Sequence, residues 1–201
     1  MARKVKVAVF VSGSGTNLQS LIDSCADASF PAEIRLVISS KKKAFGLERA
    51  RSHSIAAIVM RKKDFGTEQE YADAMLKTLN DHQIEIVCLA GYLKLIPSSV
   101  VRHFENRILN IHPALLPKFG GAGMYGMRVH EAVIAAGESE SGPTVHVVDE
   151  IYDHGRIFVQ RKVPVLPDDT PEVLQKRVLA VEHELYPEAL EKLAKEIISR
   201  E

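Results

Sequence analysis

The chain has 201 residues, of which 46% are hydrophobic and 26% charged, enough apolar material for one compact domain with a substantial core. Lysine and arginine together equal aspartate and glutamate, so the formal net charge is zero. This balance argues against a protein that binds nucleic acid by bulk phosphate neutralisation. It leaves a small anionic ligand open, because such a ligand needs only a local site.

The cysteines and the apolar runs set the expected compartment. Cys25 lies in a helical pattern and Cys88 in an apolar strand run, and neither has a CxxC partner, so we expect two buried free thiols in a reducing compartment. Residues 1–4 lead directly into a strand-length run without the apolar core of a signal peptide, and no stretch reaches transmembrane length. The sequence therefore predicts a cytoplasmic protein with no membrane partner.

Strand-like and helical patterns alternate through the first two thirds of the chain. Apolar, β-branched runs predict strands over residues 5–11, 34–38, 55–60, 84–90 and 107–111. Helical spacing fills the gaps between them, and Pro97 is expected to open a short helix at its first position. This alternation predicts βαβ units and a Rossmann-like α/β fold with a mostly parallel sheet flanked by helices.

The last third departs from this alternation. Residues 113–126 are rich in glycine and proline and predict a long functional loop before a helix over 129–136. The β-rich runs 144–148 and 157–165 are expected to pair as antiparallel additions to the sheet. Thr170 and Pro171 start a long final helix as its cap and first residue.

Pro187 interrupts the pattern of this final helix and is expected to kink or split it. No repeat or linker divides the chain, so residues 1–201 are expected to form a single domain.

A glycine-rich turn over residues 12–17 joins the first strand to the first helix. Its glycines allow close approach of a ligand, and the helix N-terminus presents free N–H groups to an anion. The turn lacks the third glycine of a dinucleotide fingerprint, since Leu18 stands there, and it lacks the lysine of a P-loop. A phosphate site and a plain turn in which Thr16 or Asn17 caps the helix are equally compatible with the local residues. The position at the carboxyl end of a strand favours phosphate.

Asn110 and His112 are two residues apart in the fifth predicted strand, so their side chains point to the same face while Ile111 packs on the other. Pro113 ends the strand there. An amide donor beside an imidazole suits a carbonyl whose oxygen becomes negative during acyl transfer. The alternative is a structural histidine whose ring only makes hydrogen bonds at the end of a strand. The nearby Asn110 and the glycine-rich loop that follows disfavour this alternative.

Asp153 lies in an acidic turn after a later strand. The plain interpretation is a β-turn acid. The functional interpretation places its carboxylate beside His112, where it is expected to favour the imidazolium and raise the pKa of His112.

Four motifs occur together in chain order: the turn 12–18, the segment 89–92, the segment 110–117 and Asp153 with Gly155. Together they resemble the short, single-domain phosphoribosylglycinamide formyltransferases of purine biosynthesis. The resemblance runs from about Val5 to Pro187. Segment 110–117 is shared among folate-dependent formyltransferases, whereas the glycine turn narrows the resemblance to the purine enzyme and formyltetrahydrofolate hydrolase.

The resemblance implies a role for each matching residue. Asn110 and His112 would activate the formyl carbonyl, and Asp153 would tune His112 and help to manage protons. The phosphate of the ribonucleotide would be bound by Gly15, Thr16 and Asn17, and the ribonucleotide itself by Glu182. The folate pocket would be lined by Leu93, Lys94, Leu95 and Ile96. Asn110 would also contact the formyl group of the folate. Without the family, Glu182 would be a solvated helix residue and segment 93–96 ordinary packing.

The chain departs from the family pattern in three places. Glu68 stands where many members carry an arginine, so a basic contact is missing or supplied elsewhere, and Glu68 is left out of the site. The loop 119–126 is longer than the common version and is expected to be a mobile lid, which leaves the alignment of His130 uncertain. Leu179 replaces a polar residue one helical turn before Glu182.

The resemblance implies transfer of a formyl group from 10-formyltetrahydrofolate to the amine of glycinamide ribonucleotide by direct attack, without a metal. No HxxxH or HExxH pair occurs among the eight histidines. The rivals are formyltetrahydrofolate hydrolase, methionyl-tRNA formyltransferase and a non-catalytic module that binds a ribonucleotide phosphate. The first two usually carry an extra N-terminal or C-terminal domain, which we do not expect here. The sequence leaves the oligomeric state open, with a homodimer as one option.

Overall fold

The computed structural model describes residues 3–200, so the predicted domain 1–201 and the N-terminal segment 1–4 lie partly outside the described residues. Along the chain, the strands are β1 (Val5–Val11), β2 (Ala32–Ser39), β3 (Ala56–Val59), β4 (Ile86–Leu89), β5 (Ile108–His112), β6 (Glu140–Ser141), β7 (Thr144–Val147), β8 (Ile157–Gln160) and β9 (Val163–Pro164). The helices are α1 (Thr16–Cys25), α2 (Phe45–Ser52), α3 (Glu68–Asp81), α4 (Ser98–His103), α5 (Met127–Ala135) and α6 (Pro171–Ile198).

Seven strands form one sheet in the order β3-β2-β1-β4-β5-β7-β8. The pairs from β3 to β5 are parallel, whereas β7 is antiparallel to β5 and β8 antiparallel to β7. This arrangement confirms the predicted Rossmann-like sheet with an antiparallel addition after β5. The strand order reverses between β1 and β4, and ligands bind open α/β sheets at such a switch point, beyond the carboxyl ends of the strands.

Two apolar cores cover the two faces of the sheet, and β1 contributes to both. Val5, Val7, Val9 and Val11 belong to the core under α1 and α6, whereas Ala8 and Phe10 belong to the core under α3 and α4. This alternation follows from the two-residue period of a strand. It explains why β1 reads as a continuous apolar run, since both of its faces are buried.

Helix α6 is also tied to two neighbouring strands of the sheet through Tyr186. The buried hydroxyl of Tyr186 lies 3.0 Å from the carbonyl oxygens of both Leu89 and Leu109, to which it donates its one proton. These carbonyls belong to β4 and β5, so a single side chain ties the long helix to the strands that carry the candidate site.

The prediction for Pro97 is wrong, and of the two outcomes predicted for Pro187 the split does not occur. Pro97 does not open α4 at its first position, because its backbone is extended with ψ 139° and the helix begins at Ser98. Pro187 does not split α6, which runs without interruption from Pro171 to Ile198. The proline removes one helical hydrogen bond, while its neighbours Leu185, Tyr186, Ala189 and Leu190 are buried in the core and hold the helix on the sheet.

The run 157–165, predicted as one strand, is two strands in different sheets. β8 joins the main sheet, whereas β9 pairs with β6 in a separate two-stranded sheet. Pro164 has no N–H and cannot continue a central ladder. In the described residues 3–200, no helix is both long and apolar enough to cross a membrane.

Candidate active site

A cavity of about 550 Å³ lies at the carboxyl ends of β1, β4 and β5. It is therefore at the switch point of the sheet, where the fold places ligands. Its walls come from the turn after β1, the segment after β4, the end of β5, the loop before α5, the turn before β8 and one side of α6. The predicted site residues that line it are Thr16, Asn17, Leu93, Lys94, Leu95, Ile96, Asn110, His112, Asp153 and Glu182.

Asn110 and His112 point to the same face of β5, as predicted, and Ile111 packs in the opposite core. The amide nitrogen of Asn110 lies 3.0 Å from Nε2 of His146, its partner on β7, and donates to Oδ1 of Asp153 at 3.3 Å. His146 Nδ1 lies 3.2 Å from the Val147 carbonyl oxygen. The Nε2 atom of His146 also lies 3.5 Å from Oδ1 of Asp153, so His146 contacts both Asn110 and Asp153.

His112 is held between a loop carbonyl and a carboxylate. Its Nε2 donates to the carbonyl oxygen of Phe119 at 2.8 Å, and its Nδ1 lies 3.5 Å from Oδ2 of Asp153. The same Asp153 oxygen accepts a hydrogen bond from the Gly121 N–H at 3.0 Å. The loop after β5 therefore folds directly over the predicted catalytic pair.

Asp153 acts to raise the pKa of His112, as predicted, but the expected net rise does not occur. Burial lowers the pKa of His112 below its usual value, and the opposing effects of Asp153 and the Phe119 carbonyl do not compensate. For Asp153, burial favours the neutral acid, but contacts with His146, His112 and the Gly121 N–H together lower its pKa. The geometry therefore pairs a neutral imidazole with an ionised carboxylate.

Asp153 also carries backbone strain. Its φ is +52°, in the left-handed region that residues with a side chain rarely adopt. Such strain costs of order 1–3 kcal/mol and persists where the surroundings determine the conformation. Here the contacts to Asn110, His112 and Gly121 hold the carboxylate in place.

The glycine turn after β1 leaves the first N–H groups of α1 without side-chain caps. Gly15 is the N-cap residue, and no side chain accepts a bond there, so the interpretation in which Thr16 or Asn17 caps the helix is wrong. Gly15 has φ +71°, and a Cβ on it would lie 2.8 Å from the Cα of Gly46. The turn is thus packed against α2 and presents uncapped N–H donors, an arrangement suited to an anion.

Glu182 is buried, with 7% of its surface exposed. The alternative interpretation, a solvated residue on the helix surface, is therefore wrong. Its Oε2 accepts a hydrogen bond from Nδ2 of Asn17 at 2.5 Å, and burial raises the pKa of Glu182. The Oδ1 atom of Asn17 is buried without a partner among residues 3–200. Two predicted substrate-binding residues therefore form one pair on the cavity wall, with an acceptor left for a ligand.

Known proteins of similar sequence identify the family of this chain. Residues 5–190 match the family described as formyl transferase. A phosphoribosylglycinamide formyltransferase of Haemophilus influenzae is 41% identical over 182 residues, which cover 90% of this chain and 84% of that protein. The chain belongs to the phosphoribosylglycinamide formyltransferase family. A chloroplastic enzyme of that name from Vigna unguiculata is 48% identical over 98% of this chain, which spans only 63% of the relative's length.

The fold comparison agrees with the family. A crystal structure of phosphoribosylglycinamide formyltransferase from Brucella melitensis is similar with a TM-score of 0.88 and 43% identity, over 96% of each chain. The resemblance carried by the four sequence motifs is thereby confirmed for the family and the fold.

Two further histidines line this cavity, of which His146 was not predicted and His130 was left open by the uncertain alignment. His146 faces Asn110 from β7, and the sequence alone does not give the register that pairs them. His130, on α5, is buried and lines the cavity, and its Nδ1 has no partner among residues 3–200. Burial, followed by repulsion from His112, lowers the pKa of His130 to about 4.

The structure shows where two residues that depart from the family pattern lie. Glu68 lies in the first turn of α3, outside the cavity lining, and accepts a hydrogen bond from Lys62 at 2.8 Å. Leu179 lines the cavity between Gln175 and Glu182 on one side of α6. Within residues 3–200, no group of three or more His, Cys, Asp or Glu side chains is placed to hold a metal ion.

Proposed function

We propose that this formyltransferase moves the formyl group of 10-formyltetrahydrofolate to the glycinamide amine of 5′-phosphoribosylglycinamide. The observation that carries this proposal is the common cavity of Asn110, His112 and Asp153, the uncapped turn 12–17 and segment 93–96. The uncapped N–H groups of the turn and the neighbouring Asn110 and His112 side chains fit a phosphorylated acceptor beside a formyl donor. The names of the relatives supply the acceptor and the formyl group. The folate donor is implied by the resemblance of segment 110–117 to folate-dependent formyltransferases.

In the proposed reaction, the amine attacks the formyl carbon directly. A new carbon–nitrogen bond forms, the carbonyl oxygen becomes negative, and the tetrahedral intermediate then loses the folate nitrogen. Asn110 donates an N–H to the oxyanion, and the substrate oxygen replaces the weaker of its two acceptors, the Asp153 oxygen at 3.3 Å. His112 donates its Nε2–H once the Phe119 carbonyl moves away.

A proton must also pass from the attacking amine to the leaving nitrogen. Neutral His112 has a free Nδ1 that faces the ionised carboxylate of Asp153 at 3.5 Å. An imidazolium formed during the reaction is stabilised by that charge. We propose that His112, or a water held by Asp153, carries this proton.

The substrates are proposed to lie on either side of this centre. Gly15, Thr16 and Asn17 bind the phosphate through backbone N–H groups, and Glu182 binds the ribonucleotide. The folate ring lies against segment 93–96, where Ile96 is buried while Leu93 and Leu95 remain 39% and 46% exposed. Holding both substrates in one cavity replaces a bimolecular encounter, which is a major part of catalysis of this type.

We also propose a domain organisation and a compartment for the protein. We take residues 1–201 as one formyltransferase domain, and every residue proposed for the site comes from one chain, so a homodimer would carry two such sites. The free thiols of Cys25 and Cys88 suit a reducing compartment, and we propose the cytoplasm.

One assay separates the candidate functions. Purified protein is mixed with 10-formyltetrahydrofolate, and deformylation of the folate is followed with and without glycinamide ribonucleotide. Turnover that requires the ribonucleotide supports the transferase. Formate release without it would indicate the hydrolase, and ribonucleotide binding without any turnover would indicate a binding module.

A further inference from the structure

Ser12 joins the turn after β1 to the segment after β4. Its hydroxyl oxygen accepts a hydrogen bond from the Leu93 N–H at 2.9 Å and lies 2.6 Å from the hydroxyl of Ser40. Its own N–H donates to the Gly91 carbonyl at 3.1 Å. Ser12 has 2% of its surface exposed, so water does not replace these contacts readily.

The turn itself is held independently of the Ser12 hydroxyl. The Gly46 N–H donates to the Gly13 carbonyl at 3.1 Å, and Nε of Arg49 donates to the Ser14 carbonyl at 2.9 Å. Both donors belong to α2. Helix α2 therefore supports the proposed phosphate turn, whereas the Ser12 side chain supports segment 93–96.

We propose that Ser12 is a positioning residue that fixes segment 93–96 against the turn and so sets the distance between the two substrate sites. The inference rests on the proposed function, because it takes segment 93–96 as the folate wall. The hydrogen bond from the Leu93 N–H to Ser12 holds the first residue of the segment in place. The Leu93 side chain is only partly buried and so contributes less to holding it. Ser40, at the end of the same hydrogen-bonded chain, holds the Ser12 hydroxyl in its orientation.

Loss of the Ser12 hydroxyl leaves the Leu93 N–H without its acceptor and lets the segment shift. A lost hydrogen bond of this kind corresponds to a change of about 3- to 10-fold in an equilibrium constant. We expect Ser12→Ala to raise KM for 10-formyltetrahydrofolate by that factor, while KM for glycinamide ribonucleotide changes less than about twofold. Ser12→Thr keeps the hydroxyl and should recover most of the folate KM.

Arg49→Ala supplies the mirror experiment. It removes the bond to the Ser14 carbonyl and a positive charge beside the turn, so it should raise KM for the ribonucleotide and leave the folate KM unchanged. Ser40→Ala is the milder counterpart of Ser12→Ala, with an expected rise of about twofold in the folate KM. Thermal melting shows whether each variant folds. If Ser12→Ala does not fold, the folate KM of Ser40→Ala tests the role of Ser12 instead.

The outcomes separate this inference from the proposed function. A wild-type protein without transferase turnover would defeat both. An active wild type whose folded serine variants keep the folate KM, or raise both KM values equally, would defeat the role of Ser12 alone. A rise confined to the folate KM, with recovery in Ser12→Thr, supports it, because a general loss of structure affects both substrates.

Discussion

Nδ1 of His112 lies 3.5 Å from the Oδ2 of Asp153, close enough for the carboxylate to attract a proton to the ring. Burial nevertheless lowers the pKa of His112, so the resting imidazole is neutral. The Phe119 carbonyl accepts a hydrogen bond from Nε2 of His112, so the proton of the neutral ring is on Nε2. The unprotonated Nδ1 then faces Asp153. A neutral donor that becomes a stabilised cation during the reaction suits both proposed roles, oxyanion stabilisation and proton transfer.

His112→Ala and Asp153→Asn should each lower kcat by about 10²- to 10⁴-fold, the range for loss of an oxyanion donor or an acid–base group. KM for either substrate should change little, because the proposed substrate contacts lie on the turn and on segment 93–96. Steady-state kinetics of 10-formyltetrahydrofolate consumption measures both constants.

His53→Ala is the matched control for these variants. His53 is exposed at the end of α2 and outside the cavity lining, so its loss should leave kcat unchanged. An unchanged kcat in either His112→Ala or Asp153→Asn would remove the catalytic assignment.

Much of the site follows from short-range rules. The two-residue period of a strand places Asn110 and His112 on one face, and the alternation of strands and helices brings the turn 12–17 and β5 to the same edge of the sheet. Both depend only on local pattern and on the handedness of βαβ units. The sequence carries this information without any knowledge of long-range pairing.

The remaining features depend on contacts that no local pattern encodes. His146 faces Asn110 because β7 pairs with β5 in one register, and a shift by one residue would turn it to the other face. The pKa of His112 falls because the loop from Pro113 folds over it, and burial is a property of the whole fold. Asp153 raises the pKa of His112 as predicted, but burial outweighs this effect, so the predicted net rise was wrong.

His130 should make stability depend on pH. An imidazole in the unfolded chain titrates near 6.5, whereas burial lowers the pKa of His130 to about 4 in the folded protein. Between these values the unfolded state binds more protons, so stability is complete above pH of about 6.5 and falls as the pH drops towards 4. The loss due to His130 is on the order of 2–3 kcal/mol at pH of about 4.5.

Urea unfolding at neutral and acidic pH tests this expectation. His112 and His183 also have a lowered pKa, mainly through burial, and contribute in the same direction, so His130→Gln should reduce the pH dependence without abolishing it. Identical pH dependence in the wild type and in His130→Gln would contradict the assignment.

Glu182→Gln should stabilise the protein while impairing its activity. Burial raises the pKa of Glu182, so the stability linked to this group is complete at low pH and is lost as the pH rises through the raised value. Glutamine still accepts from Asn17 but carries no buried charge. The melting temperature at pH of about 8 should rise, with about 2–4 °C for each kcal/mol, and KM for glycinamide ribonucleotide should increase.

Glu184→Gln controls for the loss of a glutamate on the same helix. Glu184 is exposed and pairs with Arg161 at the surface, where an ion pair contributes about 0–1 kcal/mol. Its melting temperature and kinetics should stay close to those of the wild type. A Glu182→Gln protein that melts lower than this control at high pH would refute the cost of the buried carboxylate.

Gly15→Ala should weaken both the fold and the proposed phosphate site. Alanine at φ +71° costs about 1–2 kcal/mol, and its Cβ would lie 2.8 Å from the Cα of Gly46, so the turn must also move away from α2. Gly137, at φ +65° with open space around it, provides the control, since Gly137→Ala meets only the backbone cost. We expect a larger loss of unfolding free energy for Gly15→Ala in urea titrations and a higher ribonucleotide KM in that variant alone. Equal losses would show that packing against Gly46 does not matter.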